Sequence, residues 1–262
     1  PLTDVGLAGP DQGKGGKYLL LPPGYTGETP AGYYAVKSPT YGVFVFLRAN
    51  LVDGKTDAGV KLMEQTRIYP LAQKDHPPVM KFPNASATKA DLDFKRDLRY
   101  FEALAEFINH EPVAPEDMAM RGMAATLGIV KGQPFKPDAK MKAMLSKAAD
   151  VGFKMAASAS YDSHYAKKLI YRDRKWEVVF PGGSPVFRQD SYLDFDSLIY
   201  FFHKAYSTSD AMVLKMPGKG SQYLIGLRDA DGDFLSGGQT YRVHIPANVP
   251  AANFWSVVMY DA

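Results

Sequence analysis

The chain contains no cysteine. That excludes disulfides, thiolate metal sites and a cysteine nucleophile, and it leaves the compartment open. No apolar run approaches the ~20 residues of a membrane-spanning helix. A block of basic residues is missing as well. With 31 Lys and Arg against 28 Asp and Glu, the net charge is only +3, so the electrostatic footprint of a nucleic-acid binder is absent. Tryptophan is scarce, with two in the chain. The stretch Pro1-Leu2-Thr3-Asp4 shows no initiator Met, signal peptide or capping pattern.

What is present has the composition of a soluble globular protein. Hydrophobic residues make up 46% and charged residues 23% of the 262 positions, both ordinary values. Aromatics reach 13%, mostly Tyr and Phe, which suits β structure. A compact chain of 28.9 kDa exposes roughly 11,000 Å², enough surface and core for one large domain or two smaller ones.

The periodicity changes twice along the chain. Residues 1–90 carry strand-like runs at Tyr18 to Leu21, Tyr33 to Lys37, Tyr41 to Leu47 and Arg67 to Leu71, with a short helix over Gly59 to Thr66 and a polar connector from Gln73 to Ala90. Residues 91–170 switch to helical spacing. Leu98, Phe101, Ala105 and Ile108 follow an N-cap at Asp97, while Met120, Met123, Ala124 and Leu127 lie between Pro115 and Gly128. Met141, Met144, Leu145, Ala148 and Met155 make a third stripe behind Asp138. These Met-rich stripes are expected to fill a core. Residues 171–262 begin with a strand at Trp176 to Phe180, then an amphipathic helix from Asp194 to Thr208 marked by Phe195, Leu198, Ile199, Phe202 and Tyr206. Strand-like runs follow at Ala211 to Met216, Gln222 to Arg228, Tyr241 to Ile245 and Phe254 to Tyr260. The fold class expected is α+β, with two β-rich regions of antiparallel sheet or sandwich joined by a helical segment.

Few motifs carry chemistry. Gly9 to Lys17 has the glycines and lysines of a phosphate loop, but a strand follows rather than a helix N-terminus, so a tight turn is expected. Asp229, Asp231 and Asp233 alternate as in calcium loops, yet Phe234 and Thr240 stand where the motif needs Gly and Glu. A hairpin turn is the preferred reading there, with a divalent metal as the alternative. No other cofactor is evident. His203, flanking the apolar stripe one turn from Tyr200 and two from Asp196, could form a proton-transfer rim, although a satisfied boundary histidine is the plainer reading. Arg242 and His244 alternate with Tyr241, Val243 and Ile245 and share the wetter strand face, where an anion could bind.

Thr3 to Asp11 with Gly15-Gly16-Lys17-Tyr18-Leu19-Leu20-Leu21-Pro22-Pro23-Gly24-Tyr25 resembles the later half of the bacterial domain of unknown function numbered twelve-fifty-four. Tyr223, Asp229-Ala230-Asp231-Gly232, Leu235, Tyr241, and Pro246 through Phe254-Trp255-Ser256 to Tyr260-Asp261 resemble the opening of its usual partner, the domain numbered twelve-fourteen. The resemblance implies two β-rich domains joined by helices, the second sandwich-like, and a periplasmic or envelope location. It implies no catalytic motif. Family members carry a further N-terminal part and continue past the Tyr-Asp dipeptide, so the chain is expected to be a piece of a larger protein.

The expectation is therefore an extracytoplasmic β-rich binding or assembly protein without a catalytic centre of its own. The alternative is a hydrolase with an inter-domain, metal-assisted site using Asp229, Asp231 and His203. An unfinished strand edge is normally covered, so a companion segment or second chain, including another copy in a homo-oligomer, is expected to pair with Phe254 to Tyr260.

Overall fold

The computed structural model describes residues 3–6, 9–49, 51–89, 93–165, 168–205, 213, 222–251 and 254–260. The chain is α+β and divides into two compact units, one of Gly16–Ala149 and one of Pro1–Gly15 with Asp150–Ala262.

In the Gly16–Ala149 unit, β1 (Lys17–Leu21) pairs with β2 (Tyr33–Lys37). The register sets Tyr18 beside Tyr34, with ring centroids 5.1 Å apart. A Cβ at Gly16 would lie 2.6 Å from the Tyr34 ring, so glycine is needed there for the close approach. Both expected strands form, but the pair is parallel rather than antiparallel. A tight hairpin needs a short turn. Here the chain leaves β1 through Pro22 and Pro23 and returns through Pro30 and Gly32, a connection long enough to re-enter at the starting end.

Three helices supply the core of this unit. The Asp97 carboxylate accepts the Arg99 amide and starts α2 (Leu98–His110), the helix that follows the short α1 (Asp57–Met63). Pro115 opens a single 3-10 turn before α3 (Met118–Thr126), which ends at Gly128 with φ of 83°. The Asp138 carboxylate accepts the Met141 amide at 2.7 Å at the start of α4 (Ala139–Tyr161). Phe101, Ala105 and Ile108 of α2 pack with Ala124, Ile129 and Leu145. At the α2 C-terminus, Arg121 donates to the carbonyls of Ile108 and Pro112, and Lys131 to those of Asn109 and Glu111. These cations satisfy carbonyls the helix itself leaves over.

The methionine stripes do not fill this core. Met120, Met123, Met144 and Met155 are exposed, and of the methionines in those stripes Met141 packs against the cluster. Small alanines let the helices approach closely, and the inward contacts go to Ala124 and Leu145.

In the other unit, β3 (Trp176–Val178) and β4 (Leu224–Gly226) form an antiparallel pair. Between them in sequence runs α5 (Phe195–Phe202), shorter than the helix expected to Thr208, whose last three positions lie outside the described residues. Among the described residues, the expected strands at 41–47, 67–71, 241–245 and 254–260 are not formed. At the first of these the Glu111 carboxylate takes the Tyr41 and Gly42 amides at 2.6 and 3.0 Å, removing donors a ladder would need. Burial works to raise this carboxyl, and the two amides together with the His110 and Lys131 charges outweigh it and hold it below the usual range. The Ala211 to Met216 run falls almost wholly outside the described residues. The sheets present are two-stranded, and no sandwich is formed among the described residues.

Candidate functional site

A buried polar cluster occupies the unit that contains β3 and α5. Its geometry starts at Asp194, whose carboxylate accepts the Ser197 amide at 3.0 Å and the Ser197 hydroxyl at 2.7 Å. This cap fixes the rotation of α5 so that Ser197, Tyr200 and Phe201 turn inward. Gly182, with φ of 81°, lies so close that a Cβ would sit 2.8 Å from the Ser197 hydroxyl oxygen. The Phe201 ring lies against Phe180 and Phe187 at 5.5 and 5.4 Å.

Beyond that aromatic layer, the Tyr200 hydroxyl donates to the Val178 carbonyl at 2.9 Å. The Lys204 ammonium lies 3.2 Å from the centroid of the Tyr200 ring. It also donates to the Ser160 carbonyl at 2.9 Å and meets the Ser160 hydroxyl oxygen in a short hydrogen bond. Ser160, at the end of α4, is 1% exposed, and its hydroxyl is also within 3.3 Å of the Tyr200 carbonyl. Glu177 of β3 is 2% exposed. Among the described residues one of its carboxylate oxygens has no hydrogen-bond partner, and the other lies 3.6 Å from Lys168.

Burial pushes the Lys204 ammonium down to about 7, with the Glu177 carboxylate pulling the other way. Burial and the same carboxylate together push the Tyr200 phenol up. The cluster therefore holds a near-neutral amine against a serine hydroxyl and an aromatic face. A desolvated lysine of this kind is the form in which the side chain acts as a nucleophile.

Of the residues that stand out in the sequence, Tyr200 belongs to the cluster, but its hydroxyl is directed to Val178. His203 sits at the α5 C-cap, its ring 5.4 Å from Phe153 and 5.7 Å from Tyr161. Asp196 is exposed in the first turn. Asp229, Asp231 and Asp233 lie in a turn closed by the Arg228–Phe234 bridge. There one Asp229 oxygen accepts the amides of Asp231, Gly232 and Asp233 at 3.1, 3.0 and 3.0 Å. Among the described residues no group of three His or carboxylate side chains converges on a metal position. Arg242 and His244 are exposed on a segment that forms no strand, so the shared strand face expected for them is not built. The glycine-rich stretch before β1 is a turn gathered on Asp11, whose carboxylate accepts the Gly6 and Gly15 amides at 2.7 and 3.0 Å.

Sequence reasoning misses Ser160, Glu177, Lys168 and Lys204. The signal available is slight: Lys204 falls one turn after Tyr200 at the end of an aromatic helix, where the apolar neighbourhood demands a partner.

Residues 2–70 match the family described as protein of unknown function DUF1254, and residues 220–262 the one described as protein of unknown function DUF1214. The chain carries this tandem of two domains of unknown function. No curated protein matches the sequence. β1 and β2 fall in the DUF1254 stretch, and the Asp229 turn and the 254–260 segment in the DUF1214 stretch. The Lys204 cluster is built from residues 160–204, between the two. Among the described residues, no helix is long and apolar enough to cross a membrane.

Proposed function

We propose that this DUF1254–DUF1214 chain works by binding and assembly in the bacterial envelope, and that the DUF1214 segment Phe254 to Tyr260 is its contact. What carries this is the exposure of one apolar run. Phe254, Trp255, Val257, Val258, Met259 and Tyr260 are all exposed, Phe254 at 77% and Met259 at 95%. Contiguous apolar surface of this kind marks an interaction site.

The occupant that fits is a second copy of the same segment. In an antiparallel pair centred on Val257, Phe254 of each copy faces Tyr260 of the other, an aromatic cross-strand pair. Residues 254–260 carry no charge, so pairing meets no like-charge repulsion. Three aromatic rings per copy can each bury roughly 150–250 Å². The total is on the order of 1,000 Å², the size at which specific interfaces begin. The alternative of a metal-assisted hydrolase is weakened because Asp229 already serves three backbone amides.

Native mass spectrometry at micromolar concentration is expected to show twice the 28.9 kDa chain mass. Val257→Pro removes a ladder donor at the centre of the pair and is expected to return the mass to one chain with helical circular dichroism unchanged. A wild-type chain that stays single at all concentrations reached overturns the reading.

A further inference from the structure

We propose that Lys204 is a carbonyl-capturing amine: its nitrogen, held on Ser160 against the face of Tyr200, condenses with a small aldehyde to give an imine. Two features of the geometry carry this. No carboxylate lies within ion-pair distance of Lys204 among the described residues, so the nitrogen is anchored by a carbonyl, a hydroxyl and a ring rather than by a counter-charge. The Ser160 hydroxyl touches the same nitrogen, where a proton relay is needed. The charge of the buried Glu177 carboxylate works against this by favouring the ammonium, and burial of Lys204 outweighs it. An amine near neutrality at ordinary pH is a consequence of the same burial.

The step balances without an oxidant or a metal. The nitrogen lone pair attacks the carbonyl carbon, the C–N bond forms, and the π pair moves to oxygen. The Ser160 hydroxyl passes a proton from nitrogen to that oxygen, giving a carbinolamine. Loss of the hydroxyl with a proton from nitrogen forms the C=N bond and releases one water. Lys204 is half-buried and Ser160 is closed to solvent, which restricts the ligand to a short, unhindered aldehyde. Lys204 and Ser160 lie outside the 254–260 segment, so this chemistry stands or falls apart from the self-association proposed above.

The test is reductive trapping on the full chain at pH 7, with limiting acetaldehyde and sodium cyanoborohydride, followed by peptide mapping of every lysine. An ordinary lysine is almost wholly protonated at that pH. Lys204 is therefore expected to take up its ethyl group at least ~10-fold faster than the mean of the other lysines. Its rate should level off above about pH 7, while theirs keeps climbing toward about pH 10. Ser160→Ala is expected to slow Lys204 alone. Because mapping of the wild-type chain decides the matter, a poorly folding variant leaves the test intact. Labelling of Lys204 no faster than the average, or with the pH profile of the other lysines, overturns the proposal.

Discussion

The helices α2 and α5 are both amphipathic in sequence, and only one of them buries the stripe its sequence advertises. In α2 the apolar positions Phe101, Ala105 and Ile108 are the buried ones. In α5 the apolar positions Phe195, Leu198 and Ile199 are exposed, while Ser197, Tyr200 and Phe201 are buried. The difference lies in what each helix meets. Around α2 the neighbours are apolar, and burial of apolar area decides the rotation. Around α5 the inward face must satisfy buried polar groups: the Asp194 carboxylate, the Val178 carbonyl and the Ser160–Lys204 pair. An unpaired buried polar group costs about 1–3 kcal/mol, which competes with burial of one more leucine. Periodicity therefore names a buried face reliably only where the surroundings are apolar.

The sharpest way to break this comparison is to cut the same residue type from the stripe of each helix. Ile108 is 5% exposed and Ile199 is 37% exposed. Ile108→Ala is expected to lose about 2–5 kcal/mol, because the closed cluster cannot collapse into the cavity. Ile199→Ala, on the stripe left outside, is expected to stay within about 0.5 kcal/mol. Urea unfolding followed by far-ultraviolet circular dichroism measures both. Equal losses would mean that the α5 stripe is buried after all.

The same contrast explains what could be read from the amino-acid sequence. The helix starts were legible because an N-cap is a local device: Asp97, Asp138 and Asp194 each accept an amide two or three residues on. β1, β2, β3 and β4 were legible from β-branched and aromatic runs between turn residues, as was the Asp229 turn. Strand partners were not, since pairing is non-local. The run at Tyr41 gives its amides to Glu111, 70 positions away, and β1 finds β2 in parallel across a proline-rich connection. The Met120 and Met123 stripe failed because helical spacing tells which residues share a face and not whether anything covers it. The Lys204 cluster was illegible for a related reason. Ser160, Glu177 and Lys204 come from α4, β3 and the turn just after α5, and no spacing links them before the chain folds.

A second, smaller effect distinguishes the caps of the two helices. Asp194, the cap of α5, is buried and holds the Ser197 amide and hydroxyl, with the Gln189 side chain 3.4 Å from the same carboxylate. Asp97, the cap of α2, is more open to water and pairs with the Arg99 guanidinium at 2.7 Å. Asp194→Ala strands the Ser197 hydroxyl and amide in a buried setting and is expected to lose about 2 kcal/mol. Asp97→Ala leaves its amide free to bind water, and a smaller loss is expected. The measurement is the same urea titration. A larger loss at Asp97 would remove Asp194 as the residue that sets the rotation of α5.

The smallest effect expected is a slope with pH, and it belongs to the α5 unit alone. It is small because part of the Lys204 side chain stays within reach of water, which screens the charge. Lys204 titrates at about 7 in the folded chain and at about 10.4 when unfolded. Below about pH 7 both states hold the proton, so this group gives no slope with pH there, and the penalty of its buried charge is fully present. Between about 7 and 10 the unfolded chain binds a proton that the folded chain has released, so stability rises with pH across that window. Above about 10 the raised phenol of Tyr200 acts in the opposite sense, since the unfolded chain then loses its tyrosine proton first. Trp176 of β3 reports on this unit, its ring lying 3.1 Å from where a Cβ at Gly226 would stand. In a Trp255→Phe background, where Trp176 is the remaining tryptophan, the urea midpoint read by fluorescence is expected to climb from about pH 7 to about pH 9.5. Lys204→Met is expected to flatten that climb, because no proton is then exchanged at the site. A climb of the same size in both chains would assign the slope to other groups and leave Lys204 with an ordinary lysine's titration.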